Sequence, residues 1–541
     1  MIVRVRTKEK THRIPAEQTI GEVYERMTEI RSGDAEFLLR LFPKGEYVGH
    51  DRRVSAFEDG VMFLLEEKAA ERNGEPREVD TEDRAAPVEG RPCLHGKNEM
   101  CGKCLPLSPY DAEYLRENKI KHMSFYSYLR SRQDSMRAIS CPLEEERLSL
   151  NMSCTRHAPY PRGLCQECRP KNITLCSQEF RMVDHVEFES PGLIDRFIEQ
   201  WRGAGTQHVG YLYGRYEEYS GVPLGIKAVV CVIHVPLQQS RAHMTEIQQD
   251  ARESIAEAVA GRLGMERVGV IFTDLHRSCG GKVRHRRGAG TYFLSGIEVV
   301  FAARRQLLHK FQTEFSPTGV FGSRFVTCVV SGNSDGEVCV QCYQISNIGA
   351  KMVEEGIVGA TSRPGMMCVR RREHPMPEIF FREKGENGGV CLREVSSVFP
   401  SDYLLVSVSN GFSPDTSPFF SSPKVFSSFF VEGGNGLSAV HSYLGEVQAT
   451  EDVFALFSSF EFLCYLETVG VLPDTERLRL AEAVRASDFG LFLECLSQPG
   501  FAAMMELSRE CAPGLACRHC TYENTAGSVD CEMCGLPLGA E

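Results

Sequence analysis

The C-terminal end of the sequence carries the clearest chemistry, two CxxC motifs separated by ten residues. The four cysteines are Cys517, Cys520, Cys531 and Cys534. Two CxxC pairs on tight turns can present four thiolates in the tetrahedral arrangement that a closed structural zinc site requires. A segment of about 25 residues is too short to build an apolar core, so bound metal must hold its fold. The spacing therefore predicts one structural zinc ion.

Two further sets each combine three cysteines with one histidine, which is also a donor set of closed zinc sites. The first is Cys93, His95, Cys101 and Cys104, and the second is Cys154, His157, Cys165 and Cys168. Each histidine alone could be a surface residue, and the CxxC motif beside it favours a metal ligand. Cys141 is a spare candidate ligand near the second set. Closed sites leave no position for water, so we expect three structural, non-catalytic zinc ions.

The composition narrows the classes of function. The 541 residues predict several domains. Lys and Arg total 61 against 73 Asp and Glu, a formal net charge of −12 that disfavours general nucleic-acid binding, which needs clustered positive charge. No apolar run of about 18 residues and no signal peptide is recognisable, so we expect no membrane insertion. Without export, the cysteines should be thiols or metal ligands.

The predicted strands and helices begin with a small N-terminal module, residues 1–67. Its strand-like segments are MIVRVRT (1–7), THRIPA (11–16), EFLLRL (36–41) and GVMFLLEE (60–67). Thr19 is placed to cap a helix between the second and third of these segments. This order predicts a ubiquitin-like β-grasp, with another small α+β module as the alternative. Residues 68–90 are charged and nearly free of large apolar side chains, which predicts a linker.

The remainder reads as a series of further domains. Strand-like runs recur from 183 to about 430, and an amphipathic helix at 246–264 is placed to end at Gly264. Residues 451–507 have helical patterns throughout. The chain is thus predicted to be multidomain α+β. The predicted boundaries are 91–182 for two zinc-binding modules, 183–322 for a central domain, 323–507 for a C-terminal domain with a helical region, and 513–537 for a zinc finger.

Two short motifs that could belong to enzymes are assigned structural roles. Residues 332–336 match G-x-S-x-G, but strands flank the motif on both sides, whereas a nucleophile elbow requires a helix after it. A hairpin turn is therefore predicted. Cys339 and Cys342 form a CxxC motif inside an alternating strand with no second pair nearby, which favours packed thiols.

The C-terminal finger resembles the RanBP2/Npl4-type zinc fingers. In that family a threonine and an aromatic residue after the second ligand, with an apolar residue before the last ligand, bind the hydrophobic patch of ubiquitin. The matching residues are Thr521, Tyr522 and Met533. Tyr522 replaces the usual phenylalanine, and Leu515 stands where tryptophan is frequent. Some relatives bind single-stranded RNA through stacking aromatics and arginines, but Arg518 is the only arginine of this finger.

Longer motifs resemble the nuclear protein localization protein 4 family. They include CGKCLPLSPYDAEYL (101–115), KHMSFYSYLR (121–130), VGYLYGRYEEYSGVPLGIKAVV (209–230) and VGVIFTDLHR (268–277). The resemblance implies a cofactor of the Cdc48 (valosin-containing protein) ATPase that acts with ubiquitin fusion degradation protein 1. Such a cofactor binds ubiquitin and polyubiquitin chains and recruits substrates for extraction and proteasomal degradation. It would work in the cytoplasm and nucleus, and peripherally at the endoplasmic reticulum membrane.

The central domain of that family resembles the MPN fold, whose active members are zinc isopeptidases. They use His-x-His-Pro, a serine, an aspartate and an upstream glutamate to hold and activate water. The corresponding residues here are Phe272, Asp274, Leu275, Ser295, Glu298 and Gln207. A phenyl ring cannot bind zinc, so the resemblance implies an inactive MPN-like α/β domain and no enzyme. The alternatives are an MPN-type zinc deubiquitinase with an unusual metal set and a zinc-finger RNA-binding protein.

Overall fold

The structure is a computed structural model that describes part of the chain. The described residues are 2–6, 11–15, 23, 37–42, 62–67, 112–117, 119–135, 143–151, 154, 165–166, 168–248, 252–278, 281–370, 377–384, 390–395, 397–414, 418–420, 422, 426, 440, 443–444, 450–510, 516–522, 524, 528 and 530–538. The predicted linker at 68–90 lies outside them. The chain divides into two units, Met1–Ala86 and Pro87–Glu541.

The N-terminal unit contains a four-stranded mixed sheet. Its strands are β1 (Ile2–Arg6), β2 (Thr11–Pro15), β3 (Phe37–Phe42) and β4 (Met62–Glu67), in the order β2-β1-β4-β3. The two central strands β1 and β4 are parallel, and both outer pairs are antiparallel. All four strands coincide with the alternating segments of the sequence. Of the predicted helix, only Val23 is described, and it is helical and buried.

The second unit carries most of the strands. They are β5 (Met123–Ser124), β6 (Ile173–Leu175), β7 (Phe180–Arg181), β8 (His185–Phe188), β9 (Val209–Tyr219), β10 (Gly225–His234), β11 (Gln238–Ser240), β12 (Thr245–Ile247), β13 (Glu266–Asp274), β14 (Lys310–Gln312), β15 (Val320–Ser323), β16 (Val326–Gly332), β17 (Val338–Ile345), β18 (Val358–Ala360), β19 (Met366–Val369), β20 (Ile379–Lys384), β21 (Val390–Glu394), β22 (Val398–Pro400) and β23 (Leu405–Phe412).

The helices whose bounds are described lie in this second unit as well. They are α1 (Ala112–Glu117), α2 (Phe125–Ser135), α3 (Pro191–Ala204), α4 (Arg252–Arg262), α5 (Gly296–Leu308), α6 (Asn347–Glu354), α7 (Thr450–Phe457), α8 (Phe460–Val469), α9 (Asp474–Ala486), α10 (Phe489–Leu496) and α11 (Pro499–Glu510), with a 3-10 turn at Ser401–Leu404. None of these described helices has the length and apolar character to cross a bilayer. The prediction of mixed α and β structure is confirmed.

Seven strands close into a barrel in the order β10-β8-β23-β17-β16-β13-β9. β8 lies between β10 and β23 and is parallel to both, and β13 is parallel to β16. The strands alternate between two apolar clusters: Tyr211 and Tyr213 of β9 belong to one, and Leu212 belongs to the other. The predicted boundary between residues 322 and 323 falls inside this barrel, because β16 pairs with β13.

The helix predicted at 246–264 is shorter than expected. Residues Thr245–Ile247 form strand β12 instead, and α4 begins at Arg252. The predicted C-terminal signal holds: Gly264 has φ +74°, and the N–H of Met265 donates to the carbonyl of Ala260 at 2.8 Å. Glycine tolerates this left-handed conformation without a steric penalty, so the helix ends here.

The five C-terminal helices surround an aromatic core. Its fully buried rings are those of Phe457, Phe460, Phe462, Phe492 and Phe501. Buried Glu476 accepts hydrogen bonds from the N–H groups of Gly500 and Phe501 at 3.1 and 3.2 Å, at the N-terminus of α11, where a negative charge is favoured. Helix α8 of this bundle packs against α4, and α4 in turn packs against strand β13 of the barrel.

The region of the predicted zinc modules shares structure with later parts of the chain. β6 pairs in parallel with β20, with Ile173 opposite Ile379. Phe125 of α2 packs against Phe180 and Phe321. These contacts join residues within 91–182 to residues about 200 positions later, so the two regions fold against each other.

Candidate metal centres

The C-terminal finger is built from two similar turns, one for each CxxC motif. In the first, the N–H of Cys517 donates to the carbonyl of Tyr522 at 2.8 Å. In the second, the N–H of Cys531 donates to the carbonyl of Leu536 at 2.7 Å. The two ligand pairs therefore stand on equivalent loops, as expected when local sequence spacing alone sets their geometry.

Each turn closes with a residue in the left-handed region. The N–H of Thr521 donates to the carbonyl of Cys517 at 2.8 Å, and the N–H of Gly535 donates to that of Cys531 at 2.7 Å. The φ angles are +60° for Thr521 and +68° for Gly535. A β-branched residue adopts this conformation only at a cost, so the surrounding turn must impose it on Thr521.

The four sulfur atoms of the finger converge. The Sγ atoms of Cys517 and Cys534 are 3.5 Å apart, as are those of Cys520 and Cys531, and all four lie within 4.8 Å of one another. Tetrahedral zinc with Zn–S bonds of about 2.3 Å places its sulfurs roughly 3.8 Å apart, so the donor set fits zinc. The backbone N–H of Cys520 is the main influence that lowers the pKa of the Cys517 thiol. Against the opposing effect of backbone N–H donors, burial and neighbouring sulfurs raise the pKa values of the Cys520 and Cys534 thiols.

The three residues that the resemblance assigns to ubiquitin are exposed on this finger. Thr521 is exposed, Tyr522 is 38% exposed and Met533 is 68% exposed. A residue that the sequence did not single out connects them: buried Asn524 donates to the carbonyl of Tyr522 at 3.0 Å and accepts from the N–H of Glu532 at 2.7 Å. Asn524 thus ties the chain around Tyr522 to the chain just before Met533.

Three ligands of a second predicted zinc site also come together. The Sγ atoms of Cys154 and Cys165 are 3.6 Å apart, and those of Cys154, Cys165 and Cys168 lie within 4.8 Å of one another. The N–H of Cys165 points at the Sγ of Cys168, at 3.1 Å. Three converging sulfurs with one remaining position suit a Cys3His zinc site. The predicted fourth ligand, His157, lies outside the described residues, as does the spare candidate Cys141.

The remaining predicted zinc site falls outside the described part of the chain. Its proposed ligands are Cys93, His95, Cys101 and Cys104. The donor set stays a prediction from sequence.

The residues aligned with isopeptidase ligands form an ion-pair network rather than an open metal site. Arg287, which is 2% exposed, donates from Nε to Asp274 at 2.7 Å. Its two terminal nitrogens donate to the two carboxylate oxygens of Glu298 at 2.9 and 2.6 Å. A buried guanidinium therefore occupies the space between the two carboxylates that would face a metal ion.

The other aligned residues have structural contacts. The ring of Phe272 is buried, with the Arg287 guanidinium 5.7 Å from its centroid. Ser295 caps α5 by accepting from the N–H of Glu298. The Gln207 oxygen accepts from Leu275 N–H and the Thr273 hydroxyl, and its amide donates to two carbonyls. Gln207 has no free group to act as a base.

His276 completes the surroundings of Asp274. Its Nε2 lies 2.9 Å from Asp274 and 2.5 Å from a nitrogen of Arg286. Burial alone would raise the pKa of Asp274, but the charges and hydrogen bonds of Arg287 and His276 outweigh it and lower that pKa. Asp274 is therefore an ionised partner of Arg287. Sequence reasoning missed Arg287, because the residue is separated from Asp274 by a loop of no recognised motif.

Comparison with known proteins matches two adjoining family profiles. Residues 208–509 match the NPL4 family, and residues 83–205 match the NPL4 family's putative zinc-binding region. The second match covers both predicted Cys3His sites. A zinc-binding region is thus supported independently of the sulfur geometry.

Three similar proteins carry the same name. The chain is 37% identical over 431 residues to nuclear protein localization protein 4 of Scheffersomyces stipitis, covering 77% of this chain and 74% of that protein. It is 35% identical over 459 residues to the Saccharomyces cerevisiae protein of the same name, covering 80% and 79%. With the Schizosaccharomyces pombe protein, identity is 40% over 340 residues, covering 61% and 59%.

Proposed function

Because this chain belongs to the nuclear protein localization protein 4 family, we propose that it is a non-catalytic ubiquitin-binding adaptor of a Cdc48-type unfoldase. Its role would be to recruit polyubiquitinated substrates for extraction and proteasomal degradation, together with ubiquitin fusion degradation protein 1. The names of its relatives describe localization proteins rather than enzymes. They also support a nuclear location, and we propose that the protein works in the cytoplasm and nucleus.

The geometry of the C-terminal finger is the observation that carries ubiquitin binding. Zinc would fix both turns, so Thr521, Tyr522 and Met533 would be presented rigidly by a module with almost no core. Together they offer a small apolar surface suited to the shallow hydrophobic patch of ubiquitin. Such a contact is small, so we expect it to bind weakly by itself and to gain from a second contact on the same chain.

A cleft in the second unit is our candidate for that second contact. Its volume is about 890 Å³, and it lies between α3, β10 and α8. Its walls combine apolar side chains with a few polar groups. The side chains that define it include Phe197, Ile233, Val235, Phe420 and Phe460 on the apolar side, and His208, Ser240 and Glu461 on the polar side. An open apolar cleft with dispersed polar groups suits an extended polypeptide, here proposed to be a segment of ubiquitin.

Our proposal that the chain lacks isopeptidase chemistry rests on Arg287. The guanidinium already satisfies the carboxylates of Asp274 and Glu298 from within the protein. A metal ion there would have to displace a buried cation that donates three hydrogen bonds to these carboxylates. This arrangement supports an inactive MPN-like domain and disfavours the deubiquitinase alternative.

We assign the ATPase contacts to the N-terminal half of the chain. The sheet order β2-β1-β4-β3, with parallel central strands, supports the ubiquitin-like β-grasp and a role in docking on the amino domain of the ATPase. The zinc-binding modules at 91–182 would rest on the ATPase ring, each folded by its own zinc ion. These assignments follow the family resemblance.

Ubiquitin titration of the full-length protein tests the proposal. Thr521→Ala with Tyr522→Ala should weaken binding and leave the zinc content unchanged. His519→Ala, an exposed change in the same finger, is the matched control and should bind like the unchanged protein. Unchanged binding by the double variant would place the ubiquitin contact elsewhere. Cleavage of ubiquitin chains by the zinc-loaded protein would favour the deubiquitinase instead.

A further inference from the structure

A strongly basic stretch follows β13 in this otherwise acidic chain. HRSCGGKVRHRR (276–287) contains five Arg or Lys and two His, and no Asp or Glu. The formal net charge of the whole chain is −12, so this concentration of positive charge does not reflect the overall composition. We call residues 276–278 and 281–286 the basic hairpin, because these two described segments pair with each other.

The backbone of the basic hairpin is firmly held. Arg277 and Val283 form an antiparallel bridge, the N–H of Arg284 donates to the carbonyl of His276 at 2.8 Å, and that of Ser278 donates to Lys282 at 2.7 Å. The neighbouring β16–β17 turn supports it, since the N–H of Val283 donates to Gly336 at 2.9 Å. The hairpin therefore presents its side chains from a fixed framework.

The side chains of this segment have two orientations. Val283 and Arg287 are buried, and the ring of His285, although exposed, has Nδ1 3.0 Å from the carbonyl of Gly332. Lys282, Arg284 and Arg286 are exposed. Alternate residues of an extended segment lie about 7 Å apart on one side. The three cations thus form a row along one face of the basic hairpin.

Two of these cations have no acidic partner within the described part of the chain. Lys282 donates only to the backbone carbonyl of Asp335, and no ion pair joins Lys282 or Arg284 to a carboxylate there. Arg286 is partly neutralised, 3.8 Å from Asp274. Exposed Asp335 and Glu337 lie on the adjoining β16–β17 turn, so the row of cations has an acidic border on one side.

We propose that the basic hairpin is a docking surface for an acidic, extended polypeptide, which Lys282 and Arg284 bind through its carboxylates. In an extended peptide, carboxylates on alternate residues have the same spacing of about 7 Å as this row. Clusters of basic side chains on a rigid frame are a recurring means of recognising acidic motifs. This surface is separate from the finger and the cleft assigned to ubiquitin.

The surroundings favour a polypeptide over a single-stranded nucleic acid. Nucleic-acid surfaces of that kind combine cations with exposed aromatic rings on which bases stack. Among the described residues, Trp201 is buried beneath Arg277, Tyr292 is only partly exposed, and the exposed ring beside the hairpin is the imidazole of His243, stacked on His276. Within the described residues, the surface therefore offers charge without a fully exposed Trp or Tyr ring on which bases could stack.

Fluorescence anisotropy with the full-length protein tests this surface. The probe is a labelled peptide in which glutamate alternates with serine, with a glutamine version as the uncharged reference. The protein should bind the glutamate peptide, and more weakly as salt is raised. Lys282→Glu with Arg284→Glu should weaken binding by about tenfold or more, because two attractive contacts become repulsive.

The matched control is Arg304→Glu with Arg479→Glu, which makes the same charge change at exposed positions on α5 and α9. It should bind the peptide like the unchanged protein. Lys282→Gln with Arg284→Gln, checked for an unchanged melting temperature, should show an intermediate loss. If the hairpin and control variants weaken peptide binding equally, the attraction depends only on the net charge of the protein, and the proposal is overturned. Tighter binding of an oligouridylate of equal length through Lys282 and Arg284 would also overturn it.

Discussion

Arg287 and Glu298 form a bidentate pair in which two guanidinium nitrogens donate to the two oxygens of one carboxylate, at 2.9 and 2.6 Å. The same carboxylate accepts the N–H of Ser295 at 2.8 Å and so closes the capping box of α5. The pair therefore connects the start of α5 to the end of β13, where Asp274 is the third member.

Removing the charge of Arg287 should destabilise the protein strongly. Arg287→Met leaves two carboxylates close together without their cation, which typically costs about 3–5 kcal/mol when the pair is buried. Urea unfolding should show this loss of unfolding free energy. Adding Asp274→Asn and Glu298→Gln should recover a large part of it, because the remaining groups are neutral. If the triple variant is as unstable as Arg287→Met alone, the network acts through packing rather than charge.

Asp184 should make the protein less stable as the pH rises. This carboxyl is 1% exposed, accepts the N–H of Ile226 at 3.0 Å and has one oxygen without a partner among the described residues. Burial raises the pKa of Asp184 to about 7. The folded protein therefore holds a proton that the unfolded chain releases near pH 4, so stability falls between about pH 4 and 7.

Asp184→Asn removes that dependence while keeping an acceptor for the N–H of Ile226. We expect the variant to exceed the unchanged protein by about 2–4 kcal/mol at pH 8 and to match it near pH 4. Denaturant unfolding at several pH values measures the difference. A gain that is the same at every pH would show that Asp184 is not titrating in this range.

The stability contributed by the pairing of His234 with Glu461 should also fall as the pH rises. The two side chains are 2.8 Å apart and join β10 to α8. Burial opposes a charged His234, but Glu461 outweighs it and raises the pKa of His234, with Arg267 opposing and Glu253 assisting. Stability from this pair is complete below about pH 6.5, the unfolded pKa, and is lost as the pH rises through the higher folded value.

Glu461→Gln should thus be costly only at low pH. We expect a loss of about 1–3 kcal/mol at pH 6, which becomes small at pH 9. Thr468→Val, a neutral change on the same helix whose hydroxyl bonds only to its own helix backbone, is a control for local packing. A loss for Glu461→Gln that does not vary with pH would indicate that the carboxylate acts as a neutral acceptor.

Zinc content provides a direct check on the metal centres. The full-length protein should contain three zinc ions by elemental analysis, and Cys520→Ser and Cys154→Ser should each remove one, since a closed site rarely tolerates the loss of a thiolate. Cys231→Ser is a control in a buried cysteine outside the sulfur clusters. A count of one or none in the unchanged protein would contradict the assignment of all three sites.

Local patterns in the sequence predicted local structure well. The CxxC spacing of Cys517 and Cys520 sets the turn by itself, and strand alternation located β9, where Tyr211 and Leu212 face opposite sides. Hairpin residues 332–336 do connect β16 and β17, and Cys342 is a buried thiol opposite Cys328, as packed thiols require.

Long-range relationships could not be read from the sequence in the same way. Nothing in the local pattern around Arg287 indicates that it reaches Glu298, because the contact depends on how β13, a loop and α5 are arranged in space. The domain boundary predicted between residues 322 and 323 was misplaced for the same reason. Alternation identifies a strand but not the strand with which it pairs, and β16 pairs with the earlier strand β13. Asn524 likewise gains its role only when the finger is folded.

The position of β8 between β10 and β23 has a consequence for how the protein is made. β8 is synthesised about 200 residues before β23, its parallel neighbour. At typical elongation rates of about 5–20 residues per second, the ribosome needs roughly 10–40 seconds to supply the strand that closes the barrel. Throughout that time one edge of β8 has no partner, so the nascent chain carries an open strand edge that is prone to wrong pairing. We therefore expect newly made chains to depend on chaperones until the region of Leu405–Phe412 has left the ribosome.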